Sequence, residues 1–393
     1  MLTLFVLAHW GHHLLSSSVP PLLPFIRSPL NIDVAQAGGL VSAFTIAYGV
    51  SQLPAGWLAD RIGRRALIAL GVSGAALCGF LLGIAPTYGM MVTLMVLMGL
   101  FGGGYHPASA PLVTSLVEPK RRGWALGIHQ IGGTASNLSA PLIAAALASS
   151  YLGWKSAFMI PGAVVFVLGI VLYLLTGADR QTVKAPVSAG GHGKVEPPEP
   201  QHSRSNLITY LTIGTFGQVF IGSVISFLPL FIVDRLGESA AIGAALQAVV
   251  YLGGLPAGPL AGYFADRVGP RRMLIVAGVV TGPVIYLLTQ VTSVWTSIPI
   301  FLSLGALMFV LMPVSEIYLI NQTPETNRST AMGVYYACSR GGSGFLILGV
   351  GYLIKHLGFS PTFAITGIAL LVIVVACLVF LWYQRKSTLV DKV

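Results

Sequence analysis

The sequence predicts an all-α polytopic membrane protein with twelve transmembrane helices, arranged as two pseudo-symmetric six-helix bundles. Charged residues are 9% of the 393 residues, whereas roughly 25% is usual in soluble domains, and the mean hydropathy is +0.81. Polar breaks divide the chain into about twelve apolar segments of roughly 20 residues, the length that spans a bilayer. A repeat with a period of about half the chain predicts two related halves.

The repeat is clearest in two short polar stretches that lie 206 residues apart. Residues 56–65 read GWLADRIGRR, and residues 262–272 read GYFADRVGPRR. Each stretch closes an apolar segment with a glycine, an acid and arginines just before the next segment, which predicts a tight turn between membrane helices. Near the sixth helix the offset becomes 205, where Gly153 matches Gly358. Several matches at nearly one offset indicate an internal duplication.

Four regions follow from these segments in chain order. The linker is assigned because its Gly, Pro, Ser and charged residues cannot bury a core. The regions are an N-terminal six-helix bundle (1–176), a cytoplasmic linker (177–205), a C-terminal six-helix bundle (206–384) and a short cytoplasmic tail (385–393). Helices are predicted near residues 2–26, 36–58, 66–85, 89–115, 123–149, 155–176, 207–233, 240–262, 273–290, 295–320, 329–354 and 361–383.

The positive charge of the chain follows a membrane topology. The formal net charge is +10, and most Lys and Arg fall in the segments that become cytoplasmic when the N-terminus is placed inside. This bias is the positive-inside rule, so we predict a multi-pass protein of the bacterial inner (plasma) membrane with both termini cytoplasmic. The expected partner of the basic residues is the lipid bilayer and not nucleic acid. Residues 2–8 lack a following cleavage site and are assigned to the first span.

The two polar stretches resemble the signature loop between helices 2 and 3 of the major facilitator superfamily, with its weaker echo between helices 8 and 9. The resemblance covers the whole chain and implies a secondary transporter that works by alternating access around a central cavity. Pro270 stands where the first copy has Arg64, so the second copy departs from the pattern. The resemblance implies an intracellular latch formed by Gly56, Asp60, Arg61 and Arg64, with Gly262, Asp266 and Arg271 as a looser counterpart.

Two ionisable residues lie inside apolar segments, where a charge costs a few kcal/mol and therefore needs a partner or a function. At about 1.5 Å per residue, Glu316 lies roughly 8–12 Å from the inner end of helix 10, and Arg340 roughly 18 Å into helix 11. One interpretation is a buried ion pair that fixes helix packing. The other is a proton-coupling acid beside an arginine that binds an anionic substrate.

Histidines form a polar stripe on the predicted first helix, because His9, His12, His13 and Ser16 are spaced i, i+3, i+4 and i+7. Imidazole titrates near neutral pH, so proton relay is one interpretation and hydrogen-bonded packing is the other. A metal site of His9, His13 and His106 is a third, but no acid or thiol is placed to complete it, and no metal site is predicted. The predicted substrate and proton cavity comprises His9, His12, His13, His106, His129, Gln130, Gln218, Glu316 and Arg340.

Residues 105–109 (YHPAS), with Arg122-Gly123 and residues 130–133 (QIGG), resemble the fosmidomycin-resistance branch of the superfamily. This resemblance implies a proton-coupled exporter of a small amphipathic or anionic organic compound. Because the latch does not encode direction, proton-coupled uptake of a small metabolite, an organic anion or a sugar, is the alternative, and a non-transporting membrane sensor is a further one.

An enzyme is not predicted, because no nucleophile–base pair lies at a membrane interface. The sequence has no Walker lysine loop, which argues against ATP-driven transport. The expected partners are a small-molecule substrate, protons and lipid. No cofactor is expected, and the protein is expected to be a monomer.

Overall fold

The computed structural model describes residues 1–118, 121–176, 204–324 and 328–390. The predicted linker therefore lies almost wholly outside the described residues. Within the helices, the side chains of Asp60 and Asp266 are among those that are not described. Most of the described residues are helical, which confirms the all-α prediction.

The described residues of the first half of the chain form eight helices where six were predicted. The first predicted helix is divided at Ser18, just before Pro20 and Pro21, and the fourth is divided at Gly103-Gly104. A proline inside a helix removes one backbone hydrogen bond, which favours such a break. The helices are α1 (Leu2–Ser17), α2 (Val19–Leu30), α3 (Val34–Ile62), α4 (Arg64–Leu82), α5 (Tyr88–Gly102), α6 (Tyr105–Ser115), α7 (Arg122–Ala148) and α8 (Gly153–Leu175).

In the second half, the part of the chain that the structure describes also forms eight helices. It repeats the first break, since its first predicted helix is divided just before Pro229. Its last helix continues to Val390, into the predicted tail. A π-helical turn over Ala337–Gly341 interrupts the eleventh predicted helix. The helices are α9 (Arg204–Ile225), α10 (Leu228–Leu236), α11 (Ala240–Val268), α12 (Pro270–Leu287), α13 (Val294–Gln322), α14 (Arg328–Tyr336), α15 (Gly342–Leu357) and α16 (Phe359–Val390).

Eleven helical segments of at least 18 residues, within the described part of the chain, are long and apolar enough to cross a membrane. The first predicted span falls outside this count because Ser18 divides it into helices of 16 and 12 residues. Large apolar side chains are exposed on several helices, for example Val164 and Val167 on α8 and Val372 on α16. Such surfaces suit contact with lipid.

Backbone geometry repeats with the period seen in the sequence. Gly63 is the single residue between α3 and α4, and Gly269 takes the same place between α11 and α12. Their positive φ angles, 86° and 90°, are the kind that glycine adopts without steric cost. All six positive-φ positions of the described chain form pairs 206 or 205 residues apart, namely Asn31 with Gly237, Gly63 with Gly269, and Gly153 with Gly358.

Close contacts divide the described chain into two compact units that are each discontinuous in sequence. The first unit takes in residues 1–192, 226–248 and 340–352. The second takes in the remaining residues. These units do not follow the boundaries proposed for the two bundles, so the bundle boundaries stay a prediction.

Candidate functional site

Five of the predicted cavity residues, all histidines, lie together in the first compact unit. We call His9, His12 and His13 on α1, His106 on α6 and His129 on α7 the histidine cluster. The i, i+3, i+4 spacing places the first three on one face of α1, and the break before α6 places His106 in its first turn. Ring centroids are 4.3 Å apart for His9 and His129, and 5.1 Å apart for His13 and His106.

Hydrogen bonds fix the orientation of three of these rings. His9 Nδ1 is 2.9 Å from the backbone oxygen of His129, and because a carbonyl oxygen only accepts, Nδ1 carries the hydrogen. His129 Nε2 pairs with the Tyr105 hydroxyl at 3.0 Å, and His12 Nε2 pairs with the Tyr48 hydroxyl at 3.4 Å. These hydrogen bonds form two groups, one of His9, His129 and Tyr105 and the other of His12 and Tyr48.

Glycines on neighbouring helices leave room for the rings. A Cβ atom added at Gly133 on α7 would lie 2.8 Å from His9 Nε2 and 3.3 Å from His13 Cδ2. A Cβ atom added at Gly102 on α5 would lie 3.3 Å from His12 Cε1. Contacts under 3.0 Å force a shift of the ring, so Gly133 is required for the observed position of His9.

Arg340 lies on the π-helical turn, a feature often found at functional sites. A Cβ atom added at Gly49 of α3 would lie 2.5 Å from the backbone nitrogen of Gly341 and 3.3 Å from the carbonyl carbon of Arg340. Arg340 consequently belongs to the first compact unit, within electrostatic range of His13, His106 and Tyr48.

Glu316 belongs to a second polar group, in the other compact unit. The Tyr336 hydroxyl donates to Glu316 Oε1 at 3.0 Å, and Gln218 Nε2 donates to the Tyr335 hydroxyl at 2.6 Å. Because Glu316 and Arg340 belong to different compact units, their pairing stays a prediction.

Arg61 of the predicted latch contacts an aromatic residue of its own helix, and Arg267, at the equivalent position 206 residues later, does the same. Arg61 Cζ lies 4.0 Å from the ring centroid of Trp57, and Arg267 Cζ lies 4.3 Å from that of Tyr263. A Cβ atom added at Gly262 would meet no atom within 4 Å. The side chains of Asp60 and Asp266 are not described, so the latch also stays a prediction.

Two further members of the predicted latch, Arg64 and Arg271, and the predicted cavity residue Gln130 lie outside the histidine cluster. Arg271 lies within electrostatic range of the Tyr318 phenol, Arg64 is half-buried, and Gln130 is exposed on α7, apart from the packed rings of the histidine cluster. Sequence reasoning missed Tyr105, Tyr335 and Tyr336 as members of the polar groups. Each of these tyrosines lies next to a histidine or near a polar segment in the sequence, but many tyrosines of membrane helices do, so this position does not single them out.

The helices and their apolar surfaces define a multi-pass membrane protein. The family model described as Major Facilitator Superfamily matches residues 5–249 and 211–392 of this chain. The chain belongs to the Major Facilitator Superfamily, a family of transporters and not of enzymes.

Relatives and solved structures extend the comparison. The chain is 28% identical over 313 residues to Multidrug resistance protein MdtG of Enterobacter lignolyticus, covering 77% of this chain and 73% of that protein. It is 29% identical to the protein of the same name of Salmonella typhimurium, covering 77% and 76%. Among solved structures, a POT family transporter in complex with a thioalcohol-conjugated peptide has a TM-score of 0.80 at 16% identity, covering 96% and 95%. A bacterial homologue of the human lysosomal transporter Spinster, inward-facing and occupied, has a TM-score of 0.77 at 18% identity, covering 99% and 97%.

Proposed function

We propose that this transporter exports a small amphipathic or anionic organic compound in exchange for protons, across the bacterial inner membrane. The observation that carries the proposal is the histidine cluster, with Arg340 within electrostatic range of His13 and His106. The similarity to multidrug resistance proteins supports drug-like cargo and efflux.

The chemistry of the cluster suits an amphipathic anion. Arginine presents a planar array of donors that matches carboxylate and phosphonate oxygens. Tyr48 and Tyr105 are buried beside the cluster and offer aromatic surface together with a polar hydroxyl. The resemblance to the fosmidomycin-resistance branch makes a phosphonate the first cargo to test.

Proton coupling is assigned to Glu316 and to the histidines. The carboxylate of Glu316 lies inside an apolar helix, where a charge is costly unless it has a partner or a function. The Tyr336 hydroxyl donates one hydrogen bond to it. His129 is hydrogen-bonded to the Tyr105 hydroxyl and His12 to the Tyr48 hydroxyl, and an imidazole in such a pair can accept or release a proton near neutral pH. The latch residues Asp60 and Arg64 are proposed to stabilise one of the two alternating states.

The test is transport by the purified full chain in liposomes under an imposed pH gradient. With an acidic lumen, antiport moves protons out and drives fosmidomycin or an amphipathic antibiotic into the vesicle, and we expect accumulation several-fold above protein-free liposomes. Accumulation only when the exterior is acidic would replace the proposal by proton symport. A sugar serves as the negative control for cargo.

The ion pair between Arg27 of α2 and Asp234 of α10 is expected to tune the transport rate. The guanidinium Nη1 contacts Asp234 Oδ2, and both side chains are about one-third exposed. An exposed pair contributes roughly 0.5 kcal/mol after screening, so Asp234→Arg should change the transport rate only a few-fold. The double variant Arg27→Asp, Asp234→Arg should restore the rate, and a double variant no better than the single one would contradict this role.

A further inference from the structure

Three histidines of the cluster have the arrangement of a metal site. One nitrogen from each of His9, His13 and His106 lies within 4.8 Å of the other two. Donors so spaced lie within about 2.8 Å of a common centre, and shifts of roughly 0.7 Å would bring them to the ~2.1 Å of a Zn–N bond.

His9 supplies a second, independent observation. Its Nδ1 hydrogen is donated to the backbone oxygen of His129, so the lone pair is on Nε2. That atom is buried and has no hydrogen-bond partner among the described residues, in a side chain that is 0% exposed. A buried acceptor without a partner is costly. Metal-bound histidines commonly donate their other N–H to a backbone carbonyl in this way.

We propose that His9, His13 and His106 bind a divalent transition-metal cation of the Zn²⁺ class. Imidazole nitrogens suit zinc, copper, nickel and cobalt, whereas magnesium and calcium prefer oxygen ligands. Three protein ligands leave the fourth position of a tetrahedral ion open to water or to an exchangeable anion.

The surroundings favour an anion at that fourth position. Arg340 lies within electrostatic range of His13 and His106 and opposes a bare cation there. An anionic fourth ligand lowers the net charge of the bound ion and is attracted by the same arginine. The side chains of His12, His129 and Tyr105 also surround the three proposed ligands. Because these side chains are neutral or positive, they add no negative charge that would balance the cation. The inference goes beyond the proposed efflux function, because metal binding is measured without transport.

The experiment is metal titration of the purified full chain without a polyhistidine tag. We expect one Zn²⁺ per chain by calorimetry and thermal stabilisation by Zn²⁺ but not by Mg²⁺. Co²⁺ should give the visible absorption of a tetrahedral site. His9→Ala, His13→Ala and His106→Ala should each lower the Zn²⁺ affinity by at least about 100-fold, because losing a ligand costs more than the roughly 10–100-fold lost with a residue that only supports a ligand.

Matched variants keep the result interpretable. His12→Asn changes a neighbouring histidine outside the set and should retain binding. His13→Cys retains a ligand and should add a sulfur-to-cobalt absorption band, which a merely structural role for His13 would not produce. Equal responses to Zn²⁺ and Mg²⁺, unchanged affinity in the three alanine variants, or equal loss in His12→Asn would overturn the proposal. If transport failed while Zn²⁺ binding was retained, the proposed efflux function would be contradicted and the metal site would not.

Gly133→Ala is expected to lower the Zn²⁺ affinity by at least about tenfold while all three ligands remain, because metal affinity depends on ligand orientation. The added Cβ would lie 2.8 Å from His9 Nε2 and displace the ring. Gly127→Ala, on the same helix, is the control, since its Cβ would meet no atom within 4 Å. Equal Zn²⁺ affinity in both variants would show that the position of His9 is irrelevant to binding.

Discussion

Gly305→Ala is expected to lower the melting temperature of the detergent-purified protein by on the order of 5–10 °C, since each kcal/mol shifts the Tm of a large domain by roughly 2–4 °C. A Cβ atom added at Gly305 of α13 would overlap the backbone oxygen of Val250 on α11. Backbone atoms cannot rotate away as side chains do, so the two helices must separate. Overpacking of this kind costs about 1–3 kcal/mol or more.

The same contact recurs in the first half of the chain, 206 residues earlier. A Cβ atom added at Gly99 of α5 would lie 2.5 Å from the backbone oxygen of Phe44 on α3. Gly99→Ala should therefore destabilise the protein in the same direction. Small residues at such positions let membrane helices approach closely, where packing and not the hydrophobic effect holds them together.

Gly349→Ala on α15 is the matched control for this prediction. Its Cβ would meet no atom within 4 Å, and alanine is preferred over glycine in a helix by about 1 kcal/mol. We expect an unchanged or slightly raised melting temperature. The measurement is thermal unfolding, with size-exclusion chromatography to check that each variant is monodisperse. If Gly305→Ala and the unmodified protein had equal melting temperatures, the close approach of α11 and α13 would be contradicted.

The duplication explains why the overall organisation could be predicted. The repeated polar stretches predicted tight turns, and the structure places Gly63 and Gly269 there with nearly equal φ angles. The change of offset from 206 to 205 is matched by the pair Gly153 and Gly358. Local chemistry dictates these positions, because a single-residue turn between two helices needs a backbone conformation that glycine adopts readily.

The candidate site was predictable only in part, because periodicity gives the face of a helix and not the neighbour that covers it. The spacing of His9, His12 and His13 indicated one face, but the hydrogen bond from His9 to the backbone of His129 depends on how α1 packs against α7. The break before α6 and the π-helical turn at Arg340 are also set by tertiary packing. Gln130 illustrates the limit: it lies next to His129 in sequence yet is exposed.

Glu316→Gln is expected to abolish drug accumulation driven by a pH gradient, with a loss of tenfold or more in rate. The amide has nearly the size of the carboxyl group but cannot bind and release a proton, so the coupling step is removed while the packing is kept. Exchange of labelled for unlabelled substrate needs no net proton movement, and we expect it to stay within a few-fold of the unmodified protein. The measurement is a side-by-side comparison of both modes in the same liposomes.

Two variants separate the coupling role of Glu316 from a role in packing. Tyr336→Phe removes the hydrogen bond to Glu316 Oε1 but keeps the carboxyl group. A single hydrogen bond contributes roughly 1 kcal/mol, and more to a charged acceptor, so driven transport should slow by no more than about tenfold. Glu238→Gln changes an acid between α10 and α11 and should leave transport unchanged. If Glu316→Gln lost exchange together with driven transport, with a lowered melting temperature, Glu316 would be a packing residue and the histidine cluster would be left as the source of proton coupling.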